Sequence, residues 1–525
     1  MSSSDERYVL AIDLGTGGPK VAIFADDGRA VAHAFRPVKL QLLAGGGAEH
    51  DPGEWWSAIT EAAREVTSAG HVPVEKIVGV GCTAQWSGTV AVGAGGSALM
   101  NSVIWMDSRG NTAIRKLVGG PVMGYDPVKV IKWIRATGGG PGLSGKDPIA
   151  HILYIKDAYP DVYRETTSFL EPCDYLVMKM TGKTVSSFDA ITLHWVTDNR
   201  KIDAVKYDEG LLAMAGLERS KLPDLVPPAS VVGELRAEIA EELGVPAGIP
   251  VASATGDIAS AAVGSGAVRD FAPHLYIGTS SWITCHVPFK KTSITTNIGA
   301  LPSALPGRYM VADEHETAGA CLTFLRDSVV LGDDALTPEK VEGNVFEQFN
   351  AIAEKVEPGS GNVIFTPWLN GERSPVDDHT VRGGFYNLSL STTRAQLVRS
   401  VFEGVAYNSR WLLAAVEKFV GRTFDSLNFI GGGANSDLWS QIHADVTGRD
   451  IKQMAEPVLA NARGAALLAW LAMGVVKVSD IPAMVPVKAT YRPDPGASAA
   501  YEPLYAEFVN IYKANKGIYK RLNKF

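Results

Sequence analysis

Tyr8-Val-Leu-Ala-Ile-Asp13-Leu-Gly-Thr16-Gly-Gly-Pro-Lys20-Val-Ala-Ile-Phe24 is the segment from which the fold class follows. It contains two apolar runs separated by a glycine-rich bend, and an Asp26-Asp27-Gly28 turn then leads to a third run at residues 31–35. Apolar runs joined by tight turns predict a strand meander. Asp51-Pro52 is typical of a helix start, and residues 76–81 have the composition of a buried strand. Strands alternating with helices predict an α/β fold.

A similar pattern of strand, turn and small residues begins again at residues 251–266 and continues through residues 275–280. This repetition suggests two related halves. Further along, Thr393-x-x-Gln396 predicts a capped long helix. Residues 501–522 carry apolar residues at positions i, i+4 and i+8, which predicts a terminal helix docked on the body. We therefore expect domains at 1–254 and 255–495, followed by a C-terminal helix at 496–525.

The composition limits the classes of function. A chain of 525 residues with 46% hydrophobic side chains is expected to form more than one domain. The net charge of -8 argues against nucleic acid or an anionic membrane as a partner. The absence of an apolar run of about 20 residues predicts a cytoplasmic protein. The four cysteines are far apart, so we expect buried, reduced thiols: Cys82, Cys173, Cys285 and Cys321.

The bend after Asp13 combines groups that bind phosphate. Its backbone N–H groups can form an anion cradle, Thr16 and Lys20 can add donors, and Asp13 can hold a hydrated Mg²⁺. An ordinary glycine-rich hairpin with a capping aspartate would have the same residues. This segment alone leaves both interpretations open.

Two later turns also place polar groups directly after an apolar strand. Thr255-Gly256-Asp257 ends in a carboxylate, which could accept a proton from a bound hydroxyl during phosphoryl transfer or could cap the helix that follows. Gly278-Thr279-Ser280 is a further turn of glycine and hydroxyl groups. Together with the bend after Asp13, these turns favour a shared anionic ligand.

Gly431-Gly432-Gly433-Ala434-Asn435 lies between a predicted strand and a predicted helix. Bare backbone there can accommodate a planar group that Asn435 hydrogen-bonds, although a tight turn between strand and helix would also use glycine.

Two other motifs are incomplete. Gly182-Lys183-Thr184 lacks the first glycine of a P-loop, and the dinucleotide fingerprint that starts at Gly79 is followed by a strand-like run instead of a helix. These departures disfavour a P-loop enzyme and a nicotinamide dehydrogenase.

The chain resembles the FGGY carbohydrate kinases, a family that includes xylulose, ribulose, fuculose and glycerol kinases. The resemblance rests on short motifs that occur in the same order and spacing along nearly the whole chain. These motifs are Asp13-x-Gly-Thr16, Asp51-Pro-x-x-Trp55-Trp56, Trp105-Met-Asp107-Ser-Arg109, Gly256-Asp257, Gly278-Thr279-Ser280, Pro367-Trp-Leu-Asn-Gly371-Glu372-Arg373-Ser-Pro375 and Gly431-Gly-Gly-Ala-Asn435-Ser.

The resemblance implies two actin-like, ribonuclease-H-type ATPase domains with the active site in the cleft between them. It implies ATP and Mg²⁺ as cofactors, Asp257 as the catalytic base and Asp13 as the metal-binding residue, which we expect to face Asp257 from the opposite lobe. The implied nucleotide contacts are Thr16, Gly17, Lys20, Gly278, Thr279, Gly432, Gly433 and Asn435. The implied sugar contacts are Gln85, Trp86, Ser87 and Trp105, together with Asp257. In this family the two domains close around the ligands, which excludes water.

Departures from the family pattern concern the acceptor. Xylulose kinases have Gln-Met-His-Gly where this chain has Gln85-Trp86-Ser87-Gly88, and Ile258 replaces an amide that is usual after the base. The loss of groups that bind hydroxyls predicts an altered preference with catalysis retained. We expect a small-molecule acceptor that is a ketopentose such as xylulose, with ribulose or a polyol (glycerol, erythritol or a pentitol) as alternatives. A sugar-independent actin-like ATPase module is the alternative of another class, and a homodimer remains open.

Two further expectations concern residues near the cleft. Adjacent residues Glu372 and Arg373 are expected to form a structural ion pair without a chemical role, whereas Arg109 could be solvated or ion-paired. Trp282 has two interpretations, either as a core aromatic or as a wall of the sugar pocket, because both kinds of indole have the same sequence pattern.

Overall fold

A computed structural model describes residues 6–332 and 343–523. The strands of the first half are β1 (Tyr8–Gly15), β2 (Gly18–Ala25), β3 (Ala30–Phe35), β4 (Gln41–Leu43), β5 (Gly47–His50), β6 (Ile77–Ala84), β7 (Val90–Val92), β8 (Ser102–Val103), β9 (Gly119–Val122), β10 (Ser168–Leu170), β11 (Val185–Ser187), β12 (Thr197–Asp198), β13 (Lys206–Tyr207), β14 (Asp224–Val226), β15 (Val231–Glu234), β16 (Pro250–Ala252) and β17 (Thr255–Gly256). Its helices are α1 (Pro52–Ser68), α2 (Asn111–Val118), α3 (Pro127–Thr137), α4 (Pro148–Ala158), α5 (Pro160–Glu165), α6 (Pro172–Thr181), α7 (Glu209–Ala215), α8 (Ala237–Leu243) and α9 (Asp257–Gly264).

The second half continues with the strands β18 (Pro273–Ile277), β19 (Ser281–Val287), β20 (Thr292–Ser293), β21 (Ile298–Pro302), β22 (Tyr309–Ala312), β23 (Ile364–Thr366), β24 (Gly384–Tyr386), β25 (Ser426–Ile430), β26 (Asp450–Met454) and β27 (Val487–Tyr491). Its helices are α10 (Ala320–Phe324), α11 (Val345–Ala353), α12 (Arg394–Val420), α13 (Asp437–Thr447), α14 (Ala460–Ala472), α15 (Ile481–Met484) and α16 (Pro495–Leu522). Helix α10 runs on into a π-helical segment, Leu325–Val330. Short 3₁₀ turns occur at Ala44–Gly46, Val74–Lys76, Ala190–His194, Ile202–Ala204, Arg219–Lys221, Ser360–Asn362, Gly432–Asn435 and Pro457–Leu459.

Both halves contain a large sheet with the same core topology. The first sheet has the order β15-β16-β6-β1-β2-β3, and the second has the order β20-β21-β22-β19-β18-β25-β26-β27. In the first, β1 is antiparallel to β2 and parallel to β6; in the second, β18 is antiparallel to β19 and parallel to β25. This repetition confirms the predicted α/β class and the predicted relation between the halves.

The first sheet extends past the predicted domain limit at residue 254. Strand β17 pairs with β6, so that Thr255 lies opposite Thr83, and Thr83 lies opposite Asp13 on β1. The expectation that Asp13 and Asp257 lie on opposite lobes is therefore wrong. Asp13 lies near the end of β1, and Asp257 directly follows β17 of the same sheet, because the chain leaves this sheet only where α9 begins at Asp257. The domain limits themselves stay a prediction.

Helices α9 and α14 connect the two halves through a close backbone contact. A Cβ added to Gly264 would lie 1.7 Å from the carbonyl oxygen of Ala460, and a Cβ added to Gly464 would lie 1.9 Å from that of Ser260. Helix α14 also packs on the first sheet, where a Cβ on Gly81 would lie 2.2 Å from a backbone oxygen of this helix. Only glycine allows backbones to approach this closely, so these positions hold the halves together.

Helix starts follow the sequence signals. The Asp51 carboxylate accepts a hydrogen bond from the N–H of Gly53 at 2.7 Å, and Thr393 forms the predicted capping box with Gln396. The terminal helix begins at Pro495, one residue before the expected start at 496, because Asp494 caps it by accepting the N–H of Ala497 at 2.8 Å. Its apolar face lies in the core of the second half.

The four cysteines are buried and are free thiols without disulfide bonds, as predicted. In the described part of the chain, no helix combines the length and the apolar character that crossing a bilayer requires.

Candidate functional site

The bend between β1 and β2 is a hairpin whose loop is Thr16-Gly17. Gly15 pairs with Gly18, which has φ of 135° and approaches the carbonyl oxygen of Arg36 so closely that an added Cβ would lie 1.9 Å from it. Any other residue at 18 would be strained. The loop backbone at Gly17 is exposed and can face a ligand.

Asp13 lies at the end of β1 and is only 1% exposed. Its Oδ2 lies 3.2 Å from Nζ of Lys20, its cross-strand partner. Its Oδ1 is buried and has no hydrogen-bond partner among residues 6–332 and 343–523. A buried carboxylate oxygen without a partner is uncommon, and it suits a cation or a cation-bound water.

The surroundings of Asp13 fit Mg²⁺ better than a metal with an all-protein ligand set. No group of three or more His, Cys, Asp or Glu residues that could hold a metal occurs in the described ranges. Magnesium usually keeps several waters and is held by one or two carboxylates and the phosphates of a substrate. Asp13 with its unpartnered oxygen matches that requirement.

Asp257 is the first residue of α9, and Gly256 occupies the N-cap position. The side chain of Asp257 is partly exposed, and its Oδ1 accepts the N–H of Ile258 at 2.9 Å. Because Asp257 does not occupy the N-cap position, the capping role that the sequence left open does not account for it. The carboxylate remains available at the edge of the first sheet.

The pKa of Asp257 is raised to about 7. Burial is the largest cause, and the negative charges of Asp13 and Glu314 add to it, while the backbone N–H groups of Ile258 and Trp86 oppose it. A general base works best when its pKa lies near the working pH. Asp257 is therefore suited to accept a proton at neutral pH.

The four predicted sugar contacts lie around the two carboxylates. Trp86 donates its Nε1–H to the carbonyl oxygen of Ala190 at 2.9 Å, and its ring covers Gly256, where an added Cβ would lie 2.6 Å from Trp86 Cγ. Trp105 donates its Nε1–H to Thr16 Oγ1 at 2.9 Å. The indoles thus contact the residue before Asp257 and the loop after Asp13.

The other two predicted sugar contacts also bond within the protein. Gln85 accepts a hydrogen bond from Thr16 Oγ1 at 3.1 Å, and its Nε2 lies 3.1 Å from Nδ1 of His50. Ser87, at φ of 67°, donates its hydroxyl to the carbonyl oxygen of Lys146 at 2.9 Å. The structure brings all four residues to this region, and their roles in sugar binding stay a prediction.

The turn at Gly278 and Thr279 joins β18 to β19. Its carbonyl oxygens accept backbone N–H groups at the start of α10, Gly278 from Gly319 at 2.8 Å and Thr279 from Ala318 at 2.9 Å. Thr279 is exposed. The turn is thus held on one side by α10 and is open on the other.

Tyr276 is a residue of this region that the sequence did not single out. Its ring stacks on Trp282 with centroids 3.9 Å apart, and its hydroxyl oxygen would lie 2.4 Å from a Cβ added to Gly278. Burial raises the pKa of Tyr276, and the charges of Asp257 and Asp13 raise it further. The hydroxyl therefore lies against the turn at Gly278, within the electrostatic influence of the two carboxylates. A single tyrosine in an apolar strand carries no sequence signal for this position.

The 3₁₀ turn Gly432–Asn435 lies next to the turn at Gly278 and Thr279. Gly431 has φ of 87°, and a Cβ there would lie 2.5 Å from the carbonyl oxygen of Ile277. Gly432 and Asn435 are exposed, and a Cβ on Gly432 would contact nothing within 4 Å. Gly433 is packed under Ile277, so only its backbone can face a nucleotide. Gly432 therefore borders open space beside the turn.

Trp282 belongs to the core. It is 4% exposed and donates its Nε1–H to Nε2 of His274 at 2.9 Å. Of the two interpretations of this indole, the structure supports the core one.

Arg109 is ion-paired: it lies 2.5 Å from Glu49 and 2.6 Å from Asp107.

Arg373 pairs with Glu314 and Glu316, each at 2.5 Å, and the expectation of a pair with Glu372 is wrong. Glu372 points into the core, where it accepts a hydrogen bond from Asn408 at 2.7 Å and where burial raises its pKa to about 8. Neighbouring residues in an extended segment point in opposite directions, which separates these two side chains.

The pair of Arg373 with Glu316 is part of a cluster that joins the two halves. Nζ of Lys146 lies 3.6 Å from Oε1 of Glu316, and the guanidinium of Arg373 lies 5.9 Å from the ring centre of Trp105. Sequence reasoning missed Lys146, Glu314 and Glu316, because their partners are more than 50 residues away in the chain. No short-range pattern marks such contacts.

The chain matches two family models: the N-terminal domain of the FGGY family of carbohydrate kinases at residues 8–264, and the C-terminal domain of that family at residues 275–473. It is 27% identical to a xylulose kinase of Staphylococcus epidermidis over 516 residues, which covers 97% of each chain. It is 22% identical to a gluconokinase of Bacillus subtilis over 524 residues, covering 98% of this chain and 97% of the relative.

Solved structures show the same fold. A ligand-bound xylulose kinase of Lactobacillus acidophilus superposes with a TM-score of 0.85 at 22% identity, covering 98% of this chain and 100% of the other. A gluconate kinase of Lactobacillus acidophilus gives a TM-score of 0.85 at 22% identity, covering 99% of this chain and 100% of the other. These likenesses confirm the implied two-domain, actin-like fold.

Proposed function

Since the chain belongs to the FGGY family of carbohydrate kinases, we propose that it transfers the γ-phosphoryl group of ATP to a primary hydroxyl of a ketopentose such as xylulose. The phosphotransferase class and the small-molecule acceptor follow from the family. The identity of the acceptor, the use of Mg²⁺ and the roles of single residues are the proposal. Cytoplasmic location and the oligomeric state stay predictions from the sequence.

The observation that carries the proposal is the combination of partial exposure and a raised pKa at Asp257. This carboxylate is partly exposed and has a pKa of about 7, because burial and the charge of Asp13 both disfavour its ionised form. A base of this strength can take a proton from a sugar hydroxyl at neutral pH. A carboxylate with only a structural role would not need this combination of exposure and raised pKa.

The reaction is an in-line displacement. The acceptor oxygen forms a bond to the γ-phosphorus while the bond from that phosphorus to the bridging oxygen of ADP breaks, and Asp257 receives the proton of the acceptor hydroxyl. Lys20 and the backbone N–H groups of the turns at Thr16-Gly17 and Gly278-Thr279 stabilise charge on the phosphates. Asp13 would hold Mg²⁺, which would supply further charge neutralisation at the phosphates.

The remaining residues orient the two substrates. Gly432, Gly433 and Asn435 border the adenosine, and Gln85, Trp86, Ser87 and Trp105 surround the sugar. Holding both substrates in the correct geometry supplies much of the acceleration, because the transition state of phosphoryl transfer is loose and needs little covalent help. Closure of the two halves would exclude water and suppress hydrolysis of ATP.

A coupled assay for ADP tests the proposal. The purified protein is incubated with Mg²⁺-ATP and a panel of ketoses and polyols: D-xylulose, D-ribulose, L-ribulose, glycerol, erythritol, xylitol and D-gluconate. We expect ADP formation that depends on the acceptor and is highest with a ketopentose. ATP hydrolysis at the same rate with and without every acceptor would reject a sugar kinase and favour an ATPase module.

A further inference from the structure

The polar groups predicted to contact the sugar are already used within the protein. Ser87 donates its hydroxyl to the carbonyl oxygen of Lys146, and Trp105 donates its Nε1–H to Thr16. Gln85 bonds at both ends of its amide, to Thr16 and His50. Ser87 and Trp105 therefore have no donor hydrogen left for the acceptor. An acceptor hydroxyl that is to accept a hydrogen bond there needs a further donor.

Lys146 is placed to be such a partner. It precedes α4, and its backbone carbonyl is held by Ser87, so the loop that carries it lies against the predicted sugar contacts. Its side chain is 20% exposed, and its Nζ lies 3.6 Å from Oε1 of Glu316. Burial and then the charge of Arg373 lower the pKa of Lys146. An ammonium held in this way loses little entropy when it binds a ligand.

The distance between the charged atoms of Lys146 and Glu316 bears on what this pair can bind. At 3.6 Å the two charged atoms attract each other, but they are too far apart for a direct hydrogen bond. A hydroxyl can accept a hydrogen bond from an ammonium and donate one to a carboxylate at the same time. Glu316 is ionised: although burial opposes ionisation, the charges of Arg373 and Lys146 lower its pKa to about 2. Its two oxygens accept one hydrogen bond each, from Arg373 and Asn370, and each oxygen keeps a second lone pair for a hydroxyl.

The charges around this pair disfavour an anionic acceptor. The cations of the region are Lys20, Lys146 and Arg373, and the carboxyl groups are Asp13, Asp147, Asp257, Glu314 and Glu316. Each cation already has a carboxylate partner. The carboxylate of a sugar acid could not donate a hydrogen bond to Glu316 and would be repelled by it.

We propose that Lys146 and Glu316 together recognise a hydroxyl of a neutral polyhydroxy acceptor, at the end remote from the hydroxyl that is phosphorylated. This inference rests on the proposed kinase function and narrows its substrate class. Neutral ketoses and polyols are accepted, and aldonates such as gluconate are disfavoured. Lys146 is thus a specificity-determining residue, and Ser87 positions the loop that carries it.

Matched acceptors test the recognition directly. D-xylulose is compared with 1-deoxy-D-xylulose, and glycerol with 1,2-propanediol, so that each pair differs by one hydroxyl at the remote end. The variant Lys146→Met removes the ammonium and keeps a side chain of similar length, and Lys146→Arg keeps the charge. Lys206→Met, at an exposed lysine of β13 in the same half, is the control.

For wild type we expect kcat/KM to fall by about 10- to 100-fold when the remote hydroxyl is absent, because a site built to bond a hydroxyl rejects the analogue that lacks it. In Lys146→Met, the ratio of kcat/KM with the remote hydroxyl to kcat/KM without it should fall towards 1, with the KM for ATP unchanged. Lys146→Arg should keep most of the discrimination, and Lys206→Met should keep all of it. A purely structural role of Lys146 would lower activity equally with both members of a pair.

The outcomes separate this inference from the proposed function. Absence of acceptor-dependent ADP with every compound would reject the kinase proposal. An active wild type that uses both members of a pair equally, or that uses D-gluconate as well as D-xylulose, would overturn the inference alone. A Lys146→Met variant that is folded, as checked by thermal unfolding, and that keeps the wild-type discrimination would also overturn it.

Discussion

Asp13 on β1 and Asp257, the residue directly after β17, lie at the same end of one sheet, with β6 between β1 and β17. The register places Asp13 opposite Thr83 and Thr83 opposite Thr255, so two strand spacings of about 4.8 Å separate the backbones of Asp13 and Thr255. At this separation the charge of Asp13 raises the pKa of Asp257. We expect the phosphoryl group and its acceptor to lie between these two carboxylates.

Replacement of Asp257 by Asn should lower kcat by about 10²- to 10⁴-fold, because the amide cannot accept the proton of the acceptor hydroxyl. Binding of ATP, measured by calorimetry, should change little. The control is Asp157→Asn, at an exposed position of α4. Near-normal turnover of Asp257→Asn would show that another group is the base.

The kcat/KM for the acceptor should fall as the pH drops through about 7, because Asp257 then becomes protonated and can no longer accept a proton. The charge of Glu314 helps to raise the pKa of Asp257. Glu314→Gln removes this charge, so the acid limb of the pH profile should move to lower pH. The profile is measured from pH 5 to pH 9, and a shift to higher pH in the variant would contradict the assignment.

Asp13→Asn should raise the Mg²⁺ concentration needed for half-maximal activity. An interaction with a charged group is worth about 1.5–3 kcal/mol, which corresponds to a rise of about 10- to 100-fold. The test is a Mg²⁺ titration at saturating acceptor. Because the variant also leaves Lys20 without its carboxylate partner, Lys20→Met is assayed in parallel to separate the two effects. An unchanged Mg²⁺ requirement in Asp13→Asn would exclude Asp13 as a metal-binding residue.

Gly432→Leu should raise the KM for ATP at least tenfold, since the new side chain enters the open space where we expect the adenosine. Stability should change little, because a Cβ at this position contacts nothing within 4 Å. Gly95→Leu is the matched control, since Gly95 is also exposed and open but lies in a surface loop of the first half. If both variants bind ATP like wild type, adenosine does not occupy this space.

Gly464→Ala should destabilise the protein by about 1–3 kcal/mol or more, because its Cβ would lie 1.9 Å from the carbonyl oxygen of Ser260 and force α9 and α14 apart. Gly517→Ala, inside α16, is the control: its nearest contact would be Arg521 at 3.7 Å, and it should be neutral or slightly stabilising. Denaturant unfolding measures both. Equal stability of the two variants would contradict the close crossing of the helices.

Local features of the fold were predictable because they depend on neighbouring residues. The β1-β2 hairpin follows from its glycines, and the starts of α1 and α12 follow from Asp51 and Thr393, whose side chains bond backbone groups two or three residues away. The turns at Thr16-Gly17 and Gly278-Thr279 were predictable for the same reason, and their binding of phosphate stays a prediction. The Glu372 and Arg373 prediction failed because sequence proximity does not decide which way two side chains point.

From the order of residues alone, the class of fold, the relation between its halves and the family could be established, since strand periodicity, helix caps and glycine turns are short-range properties. The pairing of β17 with β6, the effect of Asp257 and Asp13 on the pKa of Tyr276 and the meeting of Lys146 with Glu316 needed the folded chain. These contacts join residues that are distant in the sequence. Packing of whole elements, rather than any local pattern, brings them together, and the environment that raises the pKa of Asp257 arises in the same way.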